Sequence, residues 1–166
     1  DHTENMLKAN KNSISVKKGD TNVIKIIGKN QLQKINITIP GDPSSAAFFC
    51  ALTILNTNCK LKIKNVQLNR TRIGFYEILK KSGAKIKFYN VKLKNGERIG
   101  DISVKSSKLK PLRASKVFYP KTADEYPILF IIAALTKGVS IFEGIKDLAN
   151  KESNRIIEMQ KILKQI

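Results

Sequence analysis

Hydrophobic and polar positions change rhythm several times along the chain, and each change predicts an element. Residues 3–9 read as the end of a helix. Residues 13–16 alternate, residues 22–27 are rich in β-formers, and residues 36–39 alternate again, so three short strands are expected there. Pro40-Gly41 then breaks the pattern and marks a boundary.

Beyond it, Asp42 is placed as an N-cap and Pro43 at the first position of a helix whose apolar body runs from Ala46 to Leu55. Residues 61–66 alternate as a half-buried strand. Residues 71–82 carry Ile73, Tyr76, Ile78 and Leu79 on one face, with Gly83 as the stop. Residues 85–88 and 102–104 predict strands around an Asn95-Gly96 turn. A second apolar helix opens at Asp124-Glu125-Tyr126-Pro127, runs through Leu135 and ends at Gly138. A strand over 139–142 and an amphipathic helix over 151–164 follow. Both termini fall inside helical patterns, which is expected of a piece of a longer protein.

The two rounds superpose. Ala51-Leu52-Thr53 matches Ala134-Leu135-Thr136, and Thr71-Arg72-Ile73 matches Asn154-Arg155-Ile156, both at an offset of 83. The chain therefore reads as two copies of one unit: apolar helix, strand, amphipathic helix, strand pair. Such a repeat implies internal pseudosymmetry.

Composition changes this picture little. The chain is 42% hydrophobic, enough for a sizeable core in 166 residues. Its longest apolar run, residues 128–135, is far short of the roughly 20 residues that cross a bilayer. Cys50 and Cys59 are read as reduced core residues in a cytoplasmic setting. The net charge of +18 invites a nucleic-acid reading. Its texture argues against one: 26 Lys stand against 5 Arg, and they are spread along the whole chain. Base-reading surfaces favour the planar fork of Arg. With 23 Ile and 14 Asn alongside, the lysines reflect A/T-rich codons.

Two stretches could carry chemistry. Asp124 stands where an N-cap would, and that duty alone would explain it. Lys151 and Arg155 are four apart and would share a helix face, with Glu152 one step round. Cations at a helix N-terminus oppose its dipole, and a bound anion would resolve the conflict. A carboxylate held among cations and anions can move a proton. A solvated helix start is the plain alternative.

Several motifs then fall in one collinear order: Asp1-His2-Thr3-Glu4, residues 40–48 (PGDPSSAAF), residues 68–74 (LNRTRIG), residues 124–129 (DEYPIL) and Lys151-Glu152-Ser153-Asn154-Arg155. In these the chain closely resembles the EPSP synthase family over nearly all its length. The resemblance implies an α/β fold of repeated βαβαββ-type units, the inside-out α/β barrel of enolpyruvyl transferases, here incomplete. Residues 1–39 would be the C-terminal remnant of the first domain, and residues 40–166 about two of the three repeat units of the second.

The implied reaction moves the enolpyruvyl group of phosphoenolpyruvate to the 5-hydroxyl of shikimate-3-phosphate and releases phosphate, without metal or organic cofactor. By the same resemblance Asp124 contacts shikimate-3-phosphate and accepts a proton, and Lys151 lies at the shared substrate site. Glu152 handles the proton at the phosphoenolpyruvate carbon, and Arg155 grips phosphoenolpyruvate. Ala149 and Asn154 depart from the family's usual Arg and Asp, changes expected in the supporting shell. The full-length form is expected to be a cytoplasmic monomer with no nucleic-acid or membrane partner, and residues 1–166 alone to be inactive. Two other readings stay open: a UDP-N-acetylglucosamine enolpyruvyl transferase, which shares the fold, and, more distantly, a basic nucleic-acid-binding domain.

Overall fold

A computed structural model describes residues 1–8, 13–17, 19–29, 31–32 and 34–165. Helix α1 (His2–Lys8) leads into an antiparallel pair, β1 (Ile14–Lys17) and β2 (Val23–Ile26). The helix and the first two strands thus lie where expected, with Ala9 outside the described residues. The strand expected over 36–39 is absent: residues 34–40 have no regular structure. Alternation there is not matched by a partner strand, and Ile39 is 79% exposed. The backbone is first captured at Gly41, which bridges to Val66 (Gly41 N–H to Asn65 O, 2.8 Å).

Helix α2 (Pro43–Leu55) begins as anticipated. Asp42 accepts hydrogen bonds from the Ser44 and Ser45 N–H groups, satisfying donors that the first turn leaves unpaired. One face of α2 buries Ala46, Ala47, Cys50, Ala51 and Ile54; Phe48, Phe49 and Leu52 on the other stay exposed among the described residues. Strands β3 (Lys60–Gln67), β4 (Lys85–Lys94) and β5 (Glu97–Lys105) form an antiparallel sheet in the order β3-β5-β4. Asn95 and Gly96 both have positive φ at the β4–β5 turn, the geometry that asparagine and glycine favour in a tight hairpin. The two outer strands each bulge opposite β5, at Asn65 and Asn90. Asp101 holds both bulges, taking 2.8 Å hydrogen bonds from the Asn65 N–H and the Asn90 side-chain amide.

The inner face of this sheet places Ile86, Ile102 and Val104 against α2 and α3 (Gly74–Lys81). The outer face lines up Lys60, Lys105 and Lys85 in direct register, so lysines scattered in sequence are gathered by pairing. Helix α3 starts three residues later than expected, at Gly74. Residues 69–72 are instead tied in a turn, with the Thr71 N–H and hydroxyl on the Asn69 side-chain oxygen and the Arg72 N–H on Asn69 O; at Gly74 itself a Cβ would lie 2.9 Å from Lys121 Cβ and 3.0 Å from Lys121 O. Its inward face is the predicted one, with Phe75 added, and Gly83 ends it at φ +100°.

The second round repeats the order apolar helix, strand, amphipathic helix, but no strand pair follows the last of these among the described residues. A short α4 (Tyr119–Thr122) precedes α5 (Tyr126–Ala134), and β6 (Arg113–Ala114) pairs in parallel with β7 (Ile141–Phe142). The strand expected over 139–142 is therefore half as long. Helix α6 (Arg155–Leu163) closes the described chain, with Asn154 as its N-cap accepting from the Ile157 N–H. Two features recur at the offset seen in the sequence. Helices α2 and α5 begin 83 positions apart. Thr53 donates to Phe49 O and Thr136 to Ile132 O, the same back-bond at the same offset.

Candidate functional site

Asp124 does not cap α5. Glu125 occupies the N-cap position and makes no side-chain cap bond, because its carboxylate is turned inward. It is 5% exposed and accepts hydrogen bonds from the hydroxyls of Ser44 and Thr122, the latter at 3.0 Å. A buried carboxylate needs such donors. This pins the first turn of α2 to the start of α5 and leaves Asp124 facing outward, half exposed.

Two arginines meet on Asp124. Arg72 Nη1 lies 3.6 Å from Oδ2, and Arg155 Nη1 lies 3.3 Å from Oδ1. Arg72 is aimed by a tight turn: the Asn69 side-chain oxygen accepts from the Thr71 N–H and hydroxyl, and the Arg72 N–H bonds Asn69 O. Its Nη2 donates to Ser44 Oγ at 2.9 Å and lies 4.0 Å from Asp42. Arg155 opens α6, and its Nη2 donates to Glu152 Oε2 at 3.0 Å.

Helix α6 begins at Arg155, not at residue 151, which corrects the expected shared helix face of Lys151 and Arg155. Lys151 has extended backbone and, with Glu152, precedes the helix. Its ammonium pairs with Asp147 at 3.4 Å, and Asp147 also accepts from the Tyr119 hydroxyl at 2.7 Å. So the structure links three of the four predicted residues directly, Asp124–Arg155–Glu152, and holds Lys151 on a neighbouring pair.

The electrostatics follow from these contacts. Glu152 is held below its ordinary range by a backbone hydrogen bond and then by Arg155. Burial pulls the Arg155 guanidinium down, but Glu152 and Asp124 outweigh it, so it stays firmly charged. The Tyr119 hydroxyl is pushed up to about 12 by desolvation and by Asp147. Glu152 is 83% exposed, so its bond to Arg155 is a surface contact worth little and easily exchanged. An arriving anion can take Arg155 Nη2 by displacing Glu152, which leaves that carboxylate beside the newcomer. The site is an open cluster, separate from a cavity of about 280 Å³ lined by Met6, Ile37, Ile39, Pro40 and Ile99.

Sequence reasoning did not assign Arg72, Ser44, Glu125, Asp147 or Tyr119 to the site. The repeat offset could have found Arg72, since it pairs that residue with Arg155. The others carry no sequence signal beyond ordinary capping and turn chemistry.

Comparison with known proteins matches this architecture. A model of the family EPSP synthase (3-phosphoshikimate 1-carboxyvinyltransferase) matches residues 1–166. The 3-phosphoshikimate 1-carboxyvinyltransferase of Zymomonas mobilis is 41% identical over 167 residues, covering all of this chain and 37% of that protein. That of Persephonella marina is 40% identical over 167 residues, with 39% of its length covered. An EPSP synthase structure from Acinetobacter baumannii superposes with a TM-score of 0.87 at 38% identity, covering 99% of this chain and 36% of that one. The fold is that of an enolpyruvyl transferase, present in part. The chain belongs to the EPSP synthase family and spans little more than a third of the length of these relatives.

Proposed function

We propose that the full-length protein containing this segment transfers the enolpyruvyl group of phosphoenolpyruvate to the 5-hydroxyl of shikimate-3-phosphate and releases phosphate. The observation that carries this reading is the Asp124–Arg155–Glu152 chain, in which one guanidinium joins two carboxylates. The family membership supplies the substrates.

The reaction needs a proton added to the methylene carbon of phosphoenolpyruvate as the 5-hydroxyl adds to its neighbour and loses its own proton. Elimination then removes a proton from the new methyl group as phosphate leaves. Asp124 contacts shikimate-3-phosphate and accepts a proton. Glu152, freed from Arg155 when the anion binds, handles the proton at the phosphoenolpyruvate carbon. Arg155 forks onto phosphoenolpyruvate, and Lys151 supplies a second cation at the shared site. In this reading residues 1–39 close one domain, and residues 40–166 supply two of three units of the other. The protein works as a monomer in the cytoplasm.

The test is phosphate release by the full-length protein given both substrates. Asp124→Asn and Glu152→Gln are each expected to lower kcat on the order of 100-fold or more. Near-normal rates in both would remove the role assignment. Thermal stabilisation by a UDP-sugar and not by shikimate-3-phosphate would replace the substrate.

A further inference from the structure

Asp124 is gripped from two sides, and the two grips differ in what else they hold. Arg155 also holds Glu152, an exposed side chain, and is the group assigned above to phosphoenolpyruvate. An anion that takes Arg155 competes with Asp124 for the same guanidinium. Arg72 is anchored differently. Its second nitrogen sits 2.9 Å from Ser44 Oγ, and that hydroxyl in turn donates to the buried carboxylate of Glu125. Its stem leaves a turn fixed by Asn69. The Asp42 carboxylate, 4.0 Å away, adds attraction from the cap of α2. Asp124 therefore faces Arg72 and Arg155, with Asp42 and Glu152 behind those arginines and Glu125 next along the chain.

We propose that Arg72 is a positioning residue: its guanidinium keeps the Asp124 carboxylate in place while Arg155 turns to the anionic substrate. Asp124 comes from the second repeat unit and Arg72 from the first, so one unit orients the proton-accepting group of the other. The inference rests on the reading of Asp124 and Arg155 above. It adds a residue that acts through another and does not itself touch substrate.

A double-mutant cycle in the full-length protein tests it. Arg72→Gln is expected to lower kcat on the order of 10- to 100-fold, since small misplacements of a reacting group cost that much, and to change KM for either substrate by less than about 3-fold. In an Asp124→Asn background the same change should lower kcat by less than about 2-fold, because the carboxylate it positions is gone. Additive losses in the two backgrounds, or a raised KM with unchanged kcat, overturn the proposal: the first marks a scaffold residue, the second a substrate ligand. Should Arg72→Gln fail to fold, Arg72→Lys takes its place in the cycle. It keeps the charge but loses the fork, so the same non-additivity is expected. Wild-type turnover by Asp124→Asn alone would strike the assignment of Asp124, a failure distinguishable from that of Arg72.

Discussion

Arg72 and Arg155 stand at matching places in two repeat units and hold opposite oxygens of the Asp124 carboxylate. One carboxylate is thus held by two arginines that lie 83 positions apart in the sequence. The first reaches across from the turn before α3, and the second reaches up from the first turn of α6. Helices α2 and α5 are apolar on most of their faces, so their polar starts are where the two units can share charged groups.

That shared junction depends on how closely α3 approaches residues 121 and 122. Gly74→Ala places a Cβ 2.9 to 3.0 Å from Lys121 and Thr122, some of it against backbone. The protein is expected to lose about 1–3 kcal/mol. Urea unfolding will report the loss, and a midpoint equal to wild type would show that the approach is not tight.

Tyr76 ties α3 to α2. Its buried hydroxyl donates to Pro43 O at 2.6 Å, and burial is the main reason its ionisation is pushed far up. Tyr76→Phe leaves that carbonyl without this donor and should cost about 1–2 kcal/mol. Equilibrium denaturation of the two proteins gives the difference directly.

Glu97 links α1 to the sheet. Its carboxylate accepts from Asn5 at 3.1 Å and from Gln67 and Asn69 at 3.3 Å, and lies 2.9 Å from His2 Nδ1. Burial raises its pKa, but the contacts with His2, Asn5 and Asn69 outweigh burial and hold it below the ordinary 4.5. A depressed carboxylate contributes stability above its unfolded value and loses it as pH falls through the folded one. Glu97→Gln should therefore destabilise the protein at pH 7 by about 2 kcal/mol, with the difference shrinking steadily below pH 4.5. A gap that stays constant between pH 7 and pH 3 would show that charge is not the source.

The two thiols should behave differently. Cys50 is fully buried, and desolvation pushes its pKa up to about 12, so it carries almost no thiolate near neutrality. Cys59 is only partly buried. Native-state alkylation at pH 8 followed by mass spectrometry should label Cys59 well before Cys50. Equal labelling would mean that α2 opens readily.

Much of the fold was legible in the residues because local rules and tertiary packing agree there. The cap at Asp42 with Pro43 after it, the Asn95-Gly96 hairpin, the stop at Gly83 and the inward face of α3 are all set by neighbours a few positions away. Where local pattern had no partner, it failed. Residues 36–39 alternate yet pair with no strand, because a strand exists only by bonding to another. The start of α6 slipped by four residues because Asn154 makes the cap, which leaves Lys151 and Glu152 outside the helix and removes their shared face with Arg155.

The sequence by itself determined the family, the repeat and three residues of one charge cluster, since motif order and an offset of 83 need no coordinates. Only the tertiary structure decided which groups those residues meet. Glu125, not Asp124, takes the buried position, because hydroxyls from two distant segments, Ser44 and Thr122, are there to satisfy it. Asp124 is thereby turned out to Arg72 and Arg155. Such a choice depends on which donors packing delivers to a desolvated carboxylate, and residues 81 positions apart, as Ser44 and Glu125 are, have no local pattern that could announce it.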